Sequence, residues 1–206
     1  MLGRADHVER LADSLAGTTD DARLLFVCSD NDTDVVAAVA GYDHLILPPQ
    51  DRGDYARKVN AGIAASAEPF IFLGAIDIKF HQRWLVNAKA AMRDGVGVVG
   101  TQDLCDSRTA LGANSTHSLV ARWYADLGQI DGAPGLVHEG YWHEYVDNEL
   151  IAVARHRDAY AHAYGSIVEH LHWMNGKRKA DGVDAMHTLR MASGLRLFAS
   201  REHLWT

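Results

Sequence analysis

The sequence predicts an α/β fold, a mostly parallel central sheet with helices on both faces in a single domain. Three observations carry this: short apolar runs alternate with helical patterns, each run ends in a polar or acidic loop, and no linker or internal repeat divides the 206 residues. The first element is an amphipathic helix over roughly Ala5 to Leu15, with Val8, Leu11 and Leu15 on one face. A buried strand follows from Arg23 to Cys28 and runs into Ser29-Asp30-Asn31-Asp32. Thr33 or Asp34 can cap a short helix through Val39, and His44 to Leu47 is a second buried strand, stopped by Pro48-Pro49. Tyr55, Val59, Gly62 and Ile63 give a helical face between Asp54 and Ala65, and Pro69 to Gly74 forms a third buried strand.

Beyond Asp77 the pattern predicts a helix from Arg83 to Met92 and a strand at Val96 to Val99. A helical stretch is expected from Ser118 to Leu127 and a strong helix from Asp147 to Arg157. Strand-like segments follow at Ala159 to Tyr164 and Ser166 to His170, and the Gly- and Lys-rich stretch from Met174 to Asp184 reads as a mobile loop before a terminal helix.

Composition excludes several classes. With 48% hydrophobic and 23% charged residues the chain can bury a core. Its longest nearly apolar run, Pro69 to Ile76, is far short of the roughly 20 residues that span a bilayer, so no membrane span is expected. The opening residues lack the order of a secretory signal and Cys28 and Cys105 form no metal or redox spacing, which together predict a cytoplasmic protein. Residues 1–170 carry a net −10 and residues 171–206 a net +3, a poor distribution for general nucleic-acid binding. There is no G-x-G-x-x-G after the first strand, no phosphate-loop motif and no G-x-S-x-G, so dinucleotide, P-loop and serine-hydrolase chemistry lack their motifs.

Ligands of open α/β sheets bind beyond the carboxyl ends of the strands, which directs attention to Ser29–Asp32, Gln50–Gly53 and Asp77. Asp77 suits either a helix cap or a divalent cation that neutralises a diphosphate. Asp147 and Glu149, near a helix start, read as caps or as a general base on a cleft rim. Glu169-His170-Leu171-His172, if extended, directs both histidines to one face, where they either pack or ligate a metal. Among the twelve histidines, His117, His138 and His143 are further cleft candidates. Tyr141, Trp142 and Tyr145 can stack on a sugar or pack in the core.

The ordered set of segments resembles the family 2 GT-A glycosyltransferases. The strand ending in Ser29-Asp30, the stretch R-G-D-Y-A-R-K-V-N-A-G-I (52–63), F-I-F-L-G-A-I-D (70–77) and F-H-Q-R-W-L (80–85) are similar to the family's nucleotide-sugar half. Y-V-D-N-E-L-I-A-V-A-R (145–155) is similar to its G-E-D-x-E-L helix start, and G-S-I-V-E-H (165–170) to its P-x-x-x-x-E-H strand. The small size and the segment H-E-G-Y-W-H resemble glycosyltransferase-like proteins of actinobacterial phages, for which the host cytoplasm would be the location.

The resemblance implies a nucleotide-sugar half at about 23–100, an acceptor and catalytic half at about 101–172, and a basic tail at 173–206. It implies Ser29 and Asp30 at the nucleoside, Lys58 and Asn60 near nucleotide and sugar, and Asp77 as the D-x-D acid holding Mn2+ or Mg2+. Asp147 corresponds to the general base and His170 to the C-terminal metal ligand. The implied reaction is inverting transfer of a sugar from a nucleotide-diphosphate donor to an acceptor hydroxyl, assisted by a divalent metal. The chain departs from the pattern at Gly74-Ala-Ile-Asp77, which keeps one carboxylate, and at Val146, where the family has Glu. Lys177-Arg178-Lys179 is then an alternative partner for the diphosphate. Two other readings stay open: a catalytically silent nucleotide-sugar-binding protein of this fold, and a phage enzyme glycosylating a modified DNA base.

Overall fold

A computed structural model describes residues 4–50 and 54–206. Arg52, Gly53 and the remainder of the Gln50–Gly53 loop beyond Gln50 lie outside the described residues. Helix α1 (His7–Ala16) buries Val8, Leu11 and Leu15, the three positions its spacing picked out. Strand β1 (Leu25–Ser29) pairs in parallel with β2 (Asp43–Leu47), with α2 (Thr33–Ala38) between them. Helix α3 (Asp54–Ala64) packs close against β1: a methyl group added at Gly62 would lie 3.4 Å from Val27. The residues of β2 are at most half-buried, so this strand is an outer one and not the buried strand its apolar run suggests.

The larger sheet contains β3 (Phe70–Phe72), β4 (Ile78–Phe80), β5 (Val98–Gln102), β6 (Ser118–Ala121) and β7 (Tyr160–His170), in the order β3-β6-β5-β7-β4. Only β5 and β7 run parallel in it; β3/β6, β6/β5 and β7/β4 are antiparallel. The sheet is therefore mixed, which corrects the mostly parallel sheet expected. The cause lies in two short segments. Ser118–Ala121, expected as the start of a helix, is a strand that inserts between β3 and β5, and the helix α6 occupies only Arg122–Asp126. Ile78–Phe80 forms an antiparallel partner for the end of β7.

Helices cover both faces, as the alternation of side chains shows. Val98 of β5 and Val120 of β6 pack with Ala56 of α3, Tyr124 of α6 and Leu150 and Ile151 of α7 (Val146–His156). Their neighbours Val99 and Leu119 face the other way and pack with Ala88 of α4 (Trp84–Ala91). A short helix α5 (Ser107–Ala110), capped by the Asp106 carboxylate, lies after β5. The tail makes single turns at Trp173–Asn175 and Asp184–Met186, then helix α8 (His187–Arg201). Among the described residues, no helix is long and apolar enough to cross a membrane.

Candidate active site

The parallel strands β5 and β7 end side by side, and their carboxyl ends assemble the first part of the site. The His170 amide donates to the Asp103 carbonyl at 2.9 Å, and the Leu171 amide to the Asp77 carbonyl at 2.8 Å. Ile78 is paired with His170, so register alone sets Asp77 beside that histidine. His170 Nε2 lies 3.6 Å from Asp77 Oδ1. The ring of His117 is 5.1 Å from that of His170, and the ring of His172 is 4.9 Å from it. Burial, reinforced by the neighbouring His170, pushes the His117 imidazole down to about 3 and that of His172 to about 4, so both are neutral near pH 7. Glu169 faces away, bound to His81 at 2.9 Å and Lys177 at 2.7 Å, as the alternation predicts.

Asp77 itself is 3% exposed. Its Oδ2 accepts from Arg4 Nη1 at 2.9 Å and from Arg178 Nε at 3.1 Å. Burial opposes its charge, but His170 and the two guanidiniums outweigh that cost and hold the carboxyl well below the usual carboxylate range. It caps no helix.

Asp147 stands in the first turn of α7, where the helix dipole favours an anion. It is half-buried. That enclosure pushes its pKa up to about 6, although Asn114 Nδ2, donating at 3.3 Å, pulls the other way. Tyr145, just before it, holds a left-handed backbone at φ 71°, and its ring meets Phe198 of α8 at 5.6 Å. The Asp147 charge reaches the Tyr55 hydroxyl, and the Tyr55 ring meets that of His143 at 5.1 Å. His143 in turn lies within the field of Asp77 and His170. Glu149 has a different place: buried, it accepts from Tyr141 Oη at 2.6 Å and from Arg201 Nη2 at 2.8 Å, so it is neither a cap nor a rim carboxylate.

The other expected residues divide. Ser29 is buried at the end of β1 and Asp30 is exposed beyond it, its amide bonded to the Leu47 carbonyl. Lys58 is buried, ion-paired with Asp54, and its charge reaches Cys28. Cys28 shares a core cluster with Ile76 and Ile78, so the end of β1 packs beside the segment that carries Asp77. Asn60 does not join them. Its amide group bonds the Val137 carbonyl and Glu139, and its oxygen accepts from the Leu136 and Val137 amides, which commits it to holding that loop. Tyr141 is core, 1% exposed. His138 is bonded to Gln129 at 3.1 Å. Arg4, Asn114 and Tyr55 escape the sequence reading; Asn114 lies within a polar stretch that offered a weak signal, and Arg4 offered none.

At the level of sequence, no family model and no curated protein matches the chain. Its fold does have a solved counterpart, and the likeness is one of fold. The chain is similar over 98% of its length, with a TM-score of 0.63 and 12% identity, to 73% of the mannosyltransferase PcManGT from Pyrobaculum calidifontis, a structure in complex with GDP-Man and Mn2+. A weaker likeness, TM-score 0.47 at 14% identity over 79% of this chain and 75% of the other, is to the catalytic domain of Drosophila β1,4-galactosyltransferase 7 in complex with xylobiose.

The residues around Asp77 do not fit a divalent cation. One carboxylate oxygen is taken by two guanidiniums, and the other faces His170 at a distance longer than a hydrogen bond. Among the described residues, no group of three or more His, Cys, Asp or Glu side chains is placed to hold a metal ion.

Proposed function

We propose that the chain is a glycosyltransferase that moves a sugar from a nucleotide-diphosphate donor to an acceptor hydroxyl with inversion, using Asp147 as general base. The observation that carries the reading is Asp147: a half-buried carboxylate at a helix start, with a pKa of about 6, oriented by Asn114, on a GT-A-like fold. A pKa near the working pH is what a general base requires. The acceptor oxygen gives its proton to Asp147 and forms a bond to the anomeric carbon, while the bond from that carbon to the diphosphate oxygen breaks and its electron pair leaves with the diphosphate. A single displacement from the face opposite the leaving group inverts the centre. Ser29, Asp30 and Lys58 would receive the nucleotide.

The test combines transfer and binding. With nucleotide-diphosphate sugars screened by thermal shift, at least one raises the melting temperature. The wild type then transfers or hydrolyses that sugar, and Asp147→Asn binds it and does not. A donor that binds with no turnover in either protein favours the second reading, a sugar-nucleotide-binding protein without catalysis, which the saturation of Asp77 and the presence of Val146 support.

A further inference from the structure

Arg4, from the segment ahead of α1, and Arg178, from the tail, meet over Asp77, and both side chains are about nine-tenths buried, at 12% and 10% exposure. Two more carboxylates complete the cluster. Asp184 is bidentate on Arg178, at 2.6 Å to Nη1 and 2.9 Å to Nη2, and also accepts from Arg4 Nη2 at 3.0 Å. Asp181 is bidentate on Arg4, at 2.7 Å to Nε and 3.4 Å to Nη2, and touches Arg178 Nη1 at 3.5 Å. Two cations thus face three carboxylates, an excess of one negative charge.

The three acids are not equivalent. Asp77 and Asp184 are sealed in, at 4% and 6% side-chain exposure, whereas Asp181 is 33% exposed and is the outermost member. A carboxylate seated two-pronged on a guanidinium occupies the geometry in which arginine receives a phosphate. The charge excess and its own exposure make Asp181 the member most open to an incoming anion. Such an anion would compete with the guanidinium contacts of Asp181 Oδ2, while Oδ1 also accepts from the Val183 and Asp184 amides, at 2.9 and 3.2 Å. We propose that Arg4 and Arg178 form a phosphate-binding subsite, that Asp181 is the internal anion a phosphate group displaces, and that this pair takes the part of a divalent cation beside Asp77. That the phosphate is the donor's diphosphate rests on the glycosyltransferase reading; the subsite itself does not.

Inorganic pyrophosphate, titrated calorimetrically into the full chain in the presence of EDTA, tests this. The wild type binds it without added cation. Arg178→Gln weakens binding by about tenfold or more, the loss of a charge-assisted pair. Asp181→Asn tightens it by a few-fold, because the competing charge is gone while both arginines remain. Arg178→Lys, which keeps the charge and loses the fork, serves if the Gln variant does not fold, and binds more weakly than wild type. The proposal is overturned if pyrophosphate binds only when Mn2+ is added, if Mn2+ alone binds the wild type and is lost in Asp77→Asn, or if Asp181→Asn weakens binding. If pyrophosphate binds as expected but no nucleotide sugar is turned over, the phosphate subsite stands and the transferase reading fails.

Discussion

Asn114 Nδ2 donates to Oδ2 of Asp147 across 3.3 Å, joining the segment before β6 to the first turn of α7. A hydrogen bond to one carboxylate oxygen restrains the rotation of the side chain. The bond also favours the ionised form, which partly offsets the enclosure that raises the pKa. The reactivity of Asp147 is thereby coupled to a residue 33 positions away.

Asp147→Asn is expected to lower kcat by about a hundredfold or more, the usual range for a general base, with donor affinity nearly unchanged. It is also expected to stabilise the protein. The folded-state pKa of about 6 lies above the ordinary aspartate value of about 4, so the folded state holds the proton more tightly. Stability from this group is then fully present below about pH 4, is lost as pH rises towards 6, and stays lost above it. Urea denaturation at pH 8 should show the Asn variant more stable than wild type, and the gap should close at pH 4.

The rate of the wild type is expected to fall on the acid side with a midpoint near pH 6, since only ionised Asp147 accepts a proton. Asn114→Ala removes a bond that favours the ion, so that midpoint should move to higher pH. A pH–rate profile showing a lower kcat with an unmoved midpoint would assign Asn114 a purely structural part.

Glu149→Ala leaves the Arg201 guanidinium without its bidentate partner and Tyr141 Oη without its acceptor. Breaking a buried pair costs about 3–5 kcal/mol, and because Arg201 keeps Asp131 at 2.9 Å the loss is expected at or below the lower end of that range. Equilibrium unfolding measures it, and since Arg201 belongs to α8, proteolysis should first cut in the tail.

Gly194→Ala places a methyl group 2.5 Å from the Glu144 carbonyl oxygen and 2.9 Å from the Tyr145 ring. Backbone cannot retreat cheaply, so α8 must lift from the segment that leads into α7, at about 1–3 kcal/mol. Because Tyr145 and Asp147 share that segment, the variant should lose kcat as well as melting temperature.

Much of the fold was legible in periodicity. The apolar faces of α1, α3 and α7 and the buried strands around residues 25–29 and 98–102 follow from spacing that a single sequence displays. Strand direction was not legible, because Ser118–Ala121 is fully buried and four residues long, and a short run of that kind fits a helix or a strand equally well. At the site, Asp77, His170 and Asp147 stood out because they follow apolar runs or begin a helix. Their partners did not: Arg4 and Asp181 are ordinary charged residues until folding unites them. Asn60 illustrates the converse, a polar residue in a suggestive stretch whose hydrogen bonds go to its own loop.

The cluster over Asp77 also has a kinetic side. Arg4 and Asp181 are 177 positions apart, so their contact closes a loop of nearly the whole chain and is expected to form late in folding. Interactions absent from the folding transition state act on the unfolding rate alone. The clasp is therefore expected to set how long the folded chain persists, so that weakening it shortens that lifetime while refolding proceeds at its former pace.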